Sequence, residues 1–361
     1  MKDNVIISRR VKLFVAEKNQ SLKRDYIGQI YDWRVRVRNA SNELLSYLYA
    51  KDQLKYYKFI DEKTKLDFGI IGVNGSNIKN DAYALLSNRL KGYVNMGVGN
   101  SLAPMIVKLY KRFGEKLKKG ESSLPTFKNN IPIPFSGRKL HNIKWCDDSK
   151  CYKFLLFGIP FGILLGSDKS KNKIIIERCL SGEYKFCESS LMINDKDNCI
   201  YLNLTVKIPI ENNDLDVNKV CHAILGVAHP IVAQADGDNK TYEIGTAQEF
   251  LYRRKQIQEA LKRAQINAKY SIGGKGRKRK CQSVERYHNK EQDYVRTKMH
   301  EYSRRLVDYA IKHKCGVIHL CKDEEQSSKD KNTDYLLRNW SYHGLREMIG
   351  YKCRKAGIIL S

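Results

Sequence analysis

Apolar and polar positions along the chain fall into three successive regimes. Near the start Val11, Leu13 and Val15 alternate with Lys12 and Phe14, which predicts a strand. From about residue 22 to 50 the apolar positions Ile27, Ile30, Trp33, Val37, Leu44 and Leu48 recur at helical spacing, while Arg24, Arg34, Arg36 and Arg38 occupy other faces. After a linker at 69–80, Leu102, Ile106, Leu109, Phe113 and Leu117 step by threes and fours, with Ser101 placed as an N-cap and Gly120 just past the end. Pro125, Pro132 and Pro134 then exclude a helix, and strands take over. The clearest runs from Ile200 to Ile208 with strict alternation, and 174–179 reads as another, so a β-barrel or open antiparallel sheet is expected between about 121 and 218.

Beyond that point the pattern predicts an apolar strand over 223–235, a turn at Asp236-Gly237-Asp238-Asn239, and a short strand over 241–245. A helix over 247–270, a Gly-rich loop over 273–280, and a long helix striped by Val295, Met299, Tyr302, Leu306 and Tyr309 follow. A buried strand over 316–321, a helix around 340–356 and a strand over 357–360 complete the series. Strands first, then helices alternating with strands, is the order of a ribonuclease-H-like α/β domain.

Charge changes this picture more than length does. The 361 residues carry 66 Lys and Arg against 39 Asp and Glu, a formal +27, which disfavours the compact state unless a polyanion neutralises it. Nucleic acid is the expected partner. The first ten residues lack the layout of a signal peptide, and the apolar run 154–165 is short and broken by Gly158, Pro160 and Gly162, so neither secretion nor a membrane is expected. None of the ten cysteines forms a C-x₂-C pair, which points away from a thiolate zinc site and towards reduced thiols in a cytoplasmic protein. Lys275, Arg277, Lys278, Arg279 and Lys280 put five cations in six residues, suited to following phosphates, and Arg253 and Arg254 add two more on the preceding helix.

Several segments carry a resemblance to one family. The run 122–132, with Pro125, Phe127 and Lys128, resembles the small-Pro-x-aromatic-Lys element of the miniature type V-F CRISPR effectors and of their transposon ancestors, the TnpB proteins. Leu180-Ser181-Gly182-Glu183-Tyr184 and the strand after it are similar to the matching stretch of that group. Ile224-Leu225-Gly226-Val227-Ala228 resembles the family's first RuvC motif, 315–321 its second, and 337–353 the helix that follows. The resemblance implies an α+β multi-domain chain. A wedge-like β-barrel would comprise 1–20 with 121–218, a helical recognition domain 21–120, and a ribonuclease-H-like RuvC domain 219–361 without its C-terminal part and zinc ribbon. Trp340 and Tyr342 resemble an element near the nucleic-acid channel.

The departures from the family pattern set the functional expectation. Active members hold two Mg²⁺ ions with an Asp ending the first strand, a Glu ending the second, and a late Asp. Here the first position is Ala228, which has no ligand atom, and the second is Cys321, a soft thiol. Asp236 and Asp323 share the parity of these positions but read as a turn residue and part of a solvated acidic run, and His229 and His319 read as structural histidines. The expectation is therefore a protein that is not an enzyme and needs no cofactor beyond a guide RNA. It would form an RNA–DNA R-loop on double-stranded target DNA without cutting, and regulate transcription by occluding a promoter or by recruiting a sigma factor and RNA polymerase. A metal-dependent endonuclease with displaced or partner-supplied ligands, and an inactive transposon remnant, are the alternatives; the resemblance leaves monomer and homodimer open.

Overall fold

Asn19 starts the first helix: its side chain accepts hydrogen bonds from the backbone N–H groups of Ser21 and Leu22, and α1 runs Gln20–Tyr56. In the computed structural model, which describes residues 4–361 apart from 60, 62–68, 76, 169, 196, 227, 271–280 and 323–341, α1 buries Ile30, Trp33, Val37, Leu44 and Leu48, the predicted stripe. Arg34 lies on the same stripe and is buried against Asp195 at 2.6 Å, so it is not on an outer face as the sequence suggested. Helix α2 spans Ile78–Leu90 and α3 spans Met96–Lys118. Asn95, not Ser101, caps α3, accepting from the Gly97 N–H at 2.9 Å; Ser101 is buried inside the helix.

The chain divides into two units, Ile6–Ile208 and Met1–Val5 with Pro209–Ser361. The break therefore falls before 209 where the sequence reading put it at 219, and the helical and strand-rich segments expected as two domains cluster as one unit. Its strands are β1 (Asn4–Val15), β2 (Ile133–Phe135), β3 (Lys144–Cys146), β4 (Cys151–Leu156), β5 (Ile159–Leu164), β6 (Lys185–Phe186), β7 (Ser189–Asn194) and β8 (Cys199–Pro209). They join in the order β2-β7-β8-β1-β5-β4-β3, with β6 on β8. Among the described residues hydrogen bonding ends at β2 and β3, an open sheet rather than a closed barrel. The β4–β5 connection is the two-residue turn Phe157-Gly158, both at positive φ (52° and 87°), a conformation glycine adopts freely. It carries the Phe157 ring edge-on against Trp33 at 5.9 Å and Phe135 at 6.1 Å, joining helix to sheet.

One predicted strand is a helix. Residues 174–179 belong to α4 (Asn172–Leu180), whose buried Ile175, Ile176 and Cys179 share one helical face. The isoleucine run favours a strand locally, but the Asp168 carboxylate accepts from the N–H groups of Asn172 and Lys173, both at 2.8 Å, and satisfies the helix start.

The second unit holds β9 (Asp216–Leu225), β10 (Ile231–Ala235), β11 (Tyr242–Ile244), α5 (Ala247–Tyr270), α6 (Gln282–Lys312), β12 (Cys315–Lys322), α7 (Tyr342–Ala356) and β13 (Ile359–Leu360). The sheet order is β11-β10-β9-β12-β13, with β11, β10 and β9 antiparallel and β12 and β13 parallel to β9. The single strand expected over 223–235 is thus the end of β9, a connection, and β10. The break comes at Gly226 to Pro230, where proline cannot donate to a ladder. Cys221, Ala223 and Leu225 of β9 and Ile231 and Ala233 of β10 meet Phe250 of α5, the Met299–Tyr302–Leu306 stripe of α6 and Leu345, Ile349 and Cys353 of α7 in one core. Gly316 is required at the irregularity where β12 begins to pair with β9, since a Cβ there would lie 2.7 Å from the Asp216 carbonyl oxygen.

Lys352 of α7 is buried in this core, its ammonium donating to the His300 carbonyl and to Ser303 Oγ at 2.7 Å. Burial pushes its pKa down from 10.5 to about 8. Between those values the unfolded chain holds a proton that the folded protein has released, so this group makes stability rise with pH across that window and adds nothing to the slope below it. Cys221 and Cys353, pushed up to about 12 by burial, act oppositely above their usual 9 and are present in both proteins, so the comparison with Lys352→Met reads mainly the lysine, with a smaller contribution from the charge it exerts on Cys353. The stability advantage of the Met variant is expected to shrink by on the order of 3 kcal/mol from about pH 7 to pH 10.5 in urea titrations; a constant difference would refute it.

Candidate nucleic-acid interface

The strands that carry the two RuvC-like motifs end side by side. In the parallel register Leu320 faces Ala223, Cys321 faces Ile224 and Lys322 faces Leu225. Ala228 follows three residues beyond β9, exposed, with its carbonyl accepting from the Ala247 N–H at 2.8 Å. His229 is held by the Gly245 carbonyl at Nδ1 (3.0 Å) and stands 3.5 Å from Glu243 at Nε2, as a structural histidine would be. His319 departs from that expectation: it is exposed on the open face of β12, its Nδ1 3.4 Å from the Cys321 Sγ and its ring 5.8 Å from His222.

Asp236 does not stand in for Ala228. It follows β10 where Ala228 precedes it, and the five-residue strand between them spans roughly 17 Å. Its carboxylate accepts from the Val220 N–H at 2.9 Å and lies 3.5 Å from His222. Asp323 lies outside the described residues. Among the described residues no three His, Cys, Asp or Glu side chains converge as a metal ion requires. The methyl of Ala228 and the thiol of Cys321 do not fit a pair of Mg²⁺ ions, which take hard oxygen ligands.

The residues expected to meet phosphate separate sharply. Arg253 is exposed, donating to Gln256 at 2.8 Å. Arg254 is fully buried, its Nε donating to Glu291 of α6 at 2.8 Å while Gln258 donates to the same oxygen at 2.8 Å. It ties α5 to α6 and is not a backbone contact. Its place four residues after Phe250 and three before Ile257, both buried, was the signal for that role. Lys128 is exposed on a segment clamped to α1, where Asn42 accepts from the Phe127 N–H at 2.7 Å and donates to its carbonyl at 3.1 Å, and Arg38 donates to Asn129. Lys275, Arg277, Lys278, Arg279, Lys280 and Trp340 lie outside the described residues.

The sequence reading missed a basic face on the first unit. The buried positions Val11 and Leu13 of β1 alternate with exposed Arg10 and Lys12, and β8 presents Tyr201, Asn203, Thr205 and Lys207 beside them. The Arg10 guanidinium sits 5.5 Å from the Tyr201 ring and 3.4 Å from Asn203 Oδ1, and Ser8 meets Thr205 at 3.2 Å. Cations and an aromatic ring on one rigid, polar sheet face suit contact with sugar and phosphate. The alternation of charge with buried valine and leucine was visible in the sequence; the pairing of β1 with β8, nearly two hundred residues apart, was not.

No protein-family model matches the chain. It is 26% identical over 313 residues to the CRISPR-associated endodeoxyribonuclease Cas12f1 of Sulfoacidibacillus thermotolerans, covering 82% of this chain and 71% of that protein. It is also 26% identical over 282 residues to the protein of the same name from Syntrophomonas palmitatica, covering 72% of this chain and 56% of that one. Among solved structures, the fold matches a Cas12f1 chain in a complex with sgRNA and target DNA with a TM-score of 0.70 at 14% identity, over 100% of this chain and 89% of that chain. Both sequence relatives are named endodeoxyribonucleases, which overturns the expectation drawn from Ala228 and Cys321 that the chain is not an enzyme: it is related to a family of enzymes. Sequence similarity across most of the chain, together with a shared fold, makes this chain similar to the miniature type V-F CRISPR effectors.

Proposed function

We propose that this chain binds a guide RNA and, directed by it, double-stranded DNA, opening the duplex into an RNA–DNA heteroduplex and a displaced strand. The observation that carries this reading is the similarity over 82% of the chain to a protein named CRISPR-associated. The formal charge of +27 supports it, as do the exposed Arg10, Lys12, Lys128 and Arg253, because a guide–target hybrid is held through its backbone and shape while base pairing reads the sequence. A complex seated on a promoter obstructs polymerase, and this occlusion is the transcriptional role assigned; recruitment of a sigma factor and RNA polymerase would require a further chain. The relatives' name favours a second reading, guided cleavage of the bound DNA.

One experiment addresses both. The protein is co-expressed with a guide RNA, purified, and incubated with matched duplex, and with duplex mismatched in the roughly 8–12 nucleotides where pairing begins, in buffer containing Mg²⁺. Retention of matched duplex at least tenfold above mismatched duplex is expected. Equal retention would overturn guided binding, and guide-dependent scission of the matched duplex would establish the second reading.

A further inference from the structure

At the far end of the second unit's sheet, a cleft of about 520 Å³ opens between the β10–β11 turn and the last turns of α6. It is of the size of a small-ligand site, which runs roughly 300–1,000 Å³. Its wall is a ladder of three rings. Tyr242 and Tyr309 stack with centroids 4.9 Å apart and planes 14° from parallel, and the His313 ring lies 4.4 Å from Tyr309, tilted by 42°, with its Nε2 3.9 Å from Asp238. The ladder is fixed in place. The Tyr309 hydroxyl accepts from the Ala235 N–H at 3.3 Å and donates to Asp238 at 3.2 Å, and Arg305 donates to the Tyr242 hydroxyl through Nη2 at 3.1 Å.

The charges around these rings are unequal. Asp308 pairs with Arg304 at 2.8 Å, and Asp238 accepts from Tyr309 and from the Lys240 N–H at 3.0 Å. Among the described residues that leaves the side chains of Lys240, Arg305 and Lys312 with no carboxylate at ion-pair distance. Half-buried rings on rigid elements, with Lys240, Arg305 and Lys312 outnumbering the one carboxylate, Asp238, that has no Lys or Arg partner, form a surface against which an unpaired base can pack while its phosphates meet the cations. Two carboxylates among the cations disfavour a bare phosphate chain but can accept a hydrogen bond from a ribose 2′-hydroxyl, the group that distinguishes RNA from DNA.

We propose that this cleft is a binding site for an unpaired nucleotide of single-stranded RNA, with the base on the Tyr242–Tyr309–His313 ladder and the phosphates on Lys240, Arg305 and Lys312. The site is separate from the ends of β9 and β12 near Ala228 and Cys321. Asp238 follows β10 and His313 precedes β12, so the eight residues of β12, roughly 25 Å, lie between. The inference rests on the guide-RNA reading for the source of the RNA, as a single-stranded part of the guide outside the hybrid.

The test is photocrosslinking of the full chain to an RNA oligonucleotide containing 4-thiouridine, with the crosslinked peptides mapped by mass spectrometry. A DNA oligonucleotide of the same sequence carrying 4-thiothymidine runs in parallel. Crosslinks are expected at Tyr242, Tyr309 or His313, and to fall at least fivefold with DNA and in the double variant Arg305→Ser/Lys312→Ser, which removes cations and no ring. If RNA binds and crosslinks only elsewhere, or the variant crosslinks like wild type, the cleft is not the site while the guide-RNA reading stands. Equal crosslinking by DNA would overturn RNA as its ligand. If the wild-type chain binds no RNA, the guide-RNA reading fails and the cleft proposal fails with it.

Discussion

Replacing Arg254 with methionine is expected to lower the stability of the second unit by about 3–5 kcal/mol, the range seen when one partner of a buried ion pair is removed. The Arg254 side chain is 0% exposed and that of Glu291 is 15% exposed, so the carboxylate left behind has little water to turn to. Gln258 still donates to it, but a neutral amide compensates only part of a buried charge. The double variant Arg254→Met/Glu291→Leu removes both charges and should recover at least half of the loss, because apolar side chains of similar size often substitute for a buried pair without penalty. Calorimetry on the two single variants and the double variant gives the coupling. If Arg254→Met instead melts like wild type while nucleic-acid affinity drops, the residue faces the ligand and its assignment to the α5–α6 interface is wrong.

Affinity for guide RNA is expected to depend steeply on salt. A protein that neutralises roughly six to ten phosphates loses on the order of 10³–10⁵ in affinity to DNA between roughly 50 and 200 mM salt, through counterion release. A net +27 is charge enough to neutralise that many phosphates. Changing Lys275, Arg277, Lys278, Arg279 and Lys280 to serine should reduce the slope of log affinity against log salt by about one for each phosphate no longer neutralised, with folding stability unchanged. An unchanged slope in that variant would show that these five cations are merely solvated and that the exposed positions Arg10, Lys12, Lys128 and Arg253 meet the phosphates instead.

Elements whose burial follows one regular period were legible in the sequence. The stripes of α1 and α6 and the alternation of β8 are continuous over many residues, so local pattern and tertiary burial agree. Disagreement arises where a distant group decides. The isoleucines of α4 favour a strand until Asp168 caps a helix start, and the ladder of Tyr242, Tyr309 and His313 exists only because β11 packs beside the end of α6. Charge misleads in the same way. Arg253 and Arg254 are adjacent and chemically identical, and only the helical phase relative to Phe250 and Ile257 separates an exposed cation from a buried strut. The candidate site at Ala228 and Cys321 was located by motif, and the parallel register of β9 and β12 brings the two strand ends side by side; the inference from those two substitutions that the chain is not an enzyme fails against its endodeoxyribonuclease-named relatives, because two side chains do not decide the class of a whole chain.

Cys321 also offers an experimental handle. It is the exposed one of the ten cysteines, whereas Cys151, Cys179, Cys221, Cys315 and Cys353 are buried and the remaining four are partly covered. Under brief treatment a maleimide dye should therefore attach at the end of β12, beside the His319 imidazole, with Cys146, whose thiol is held below its usual pKa by hydrogen bonds to Ser149, as the competing site to replace by serine. A fluorophore at that point would sit where the two motif-bearing strands finish, and its emission could follow the arrival of a guide or duplex in real time, with no label on the nucleic acid.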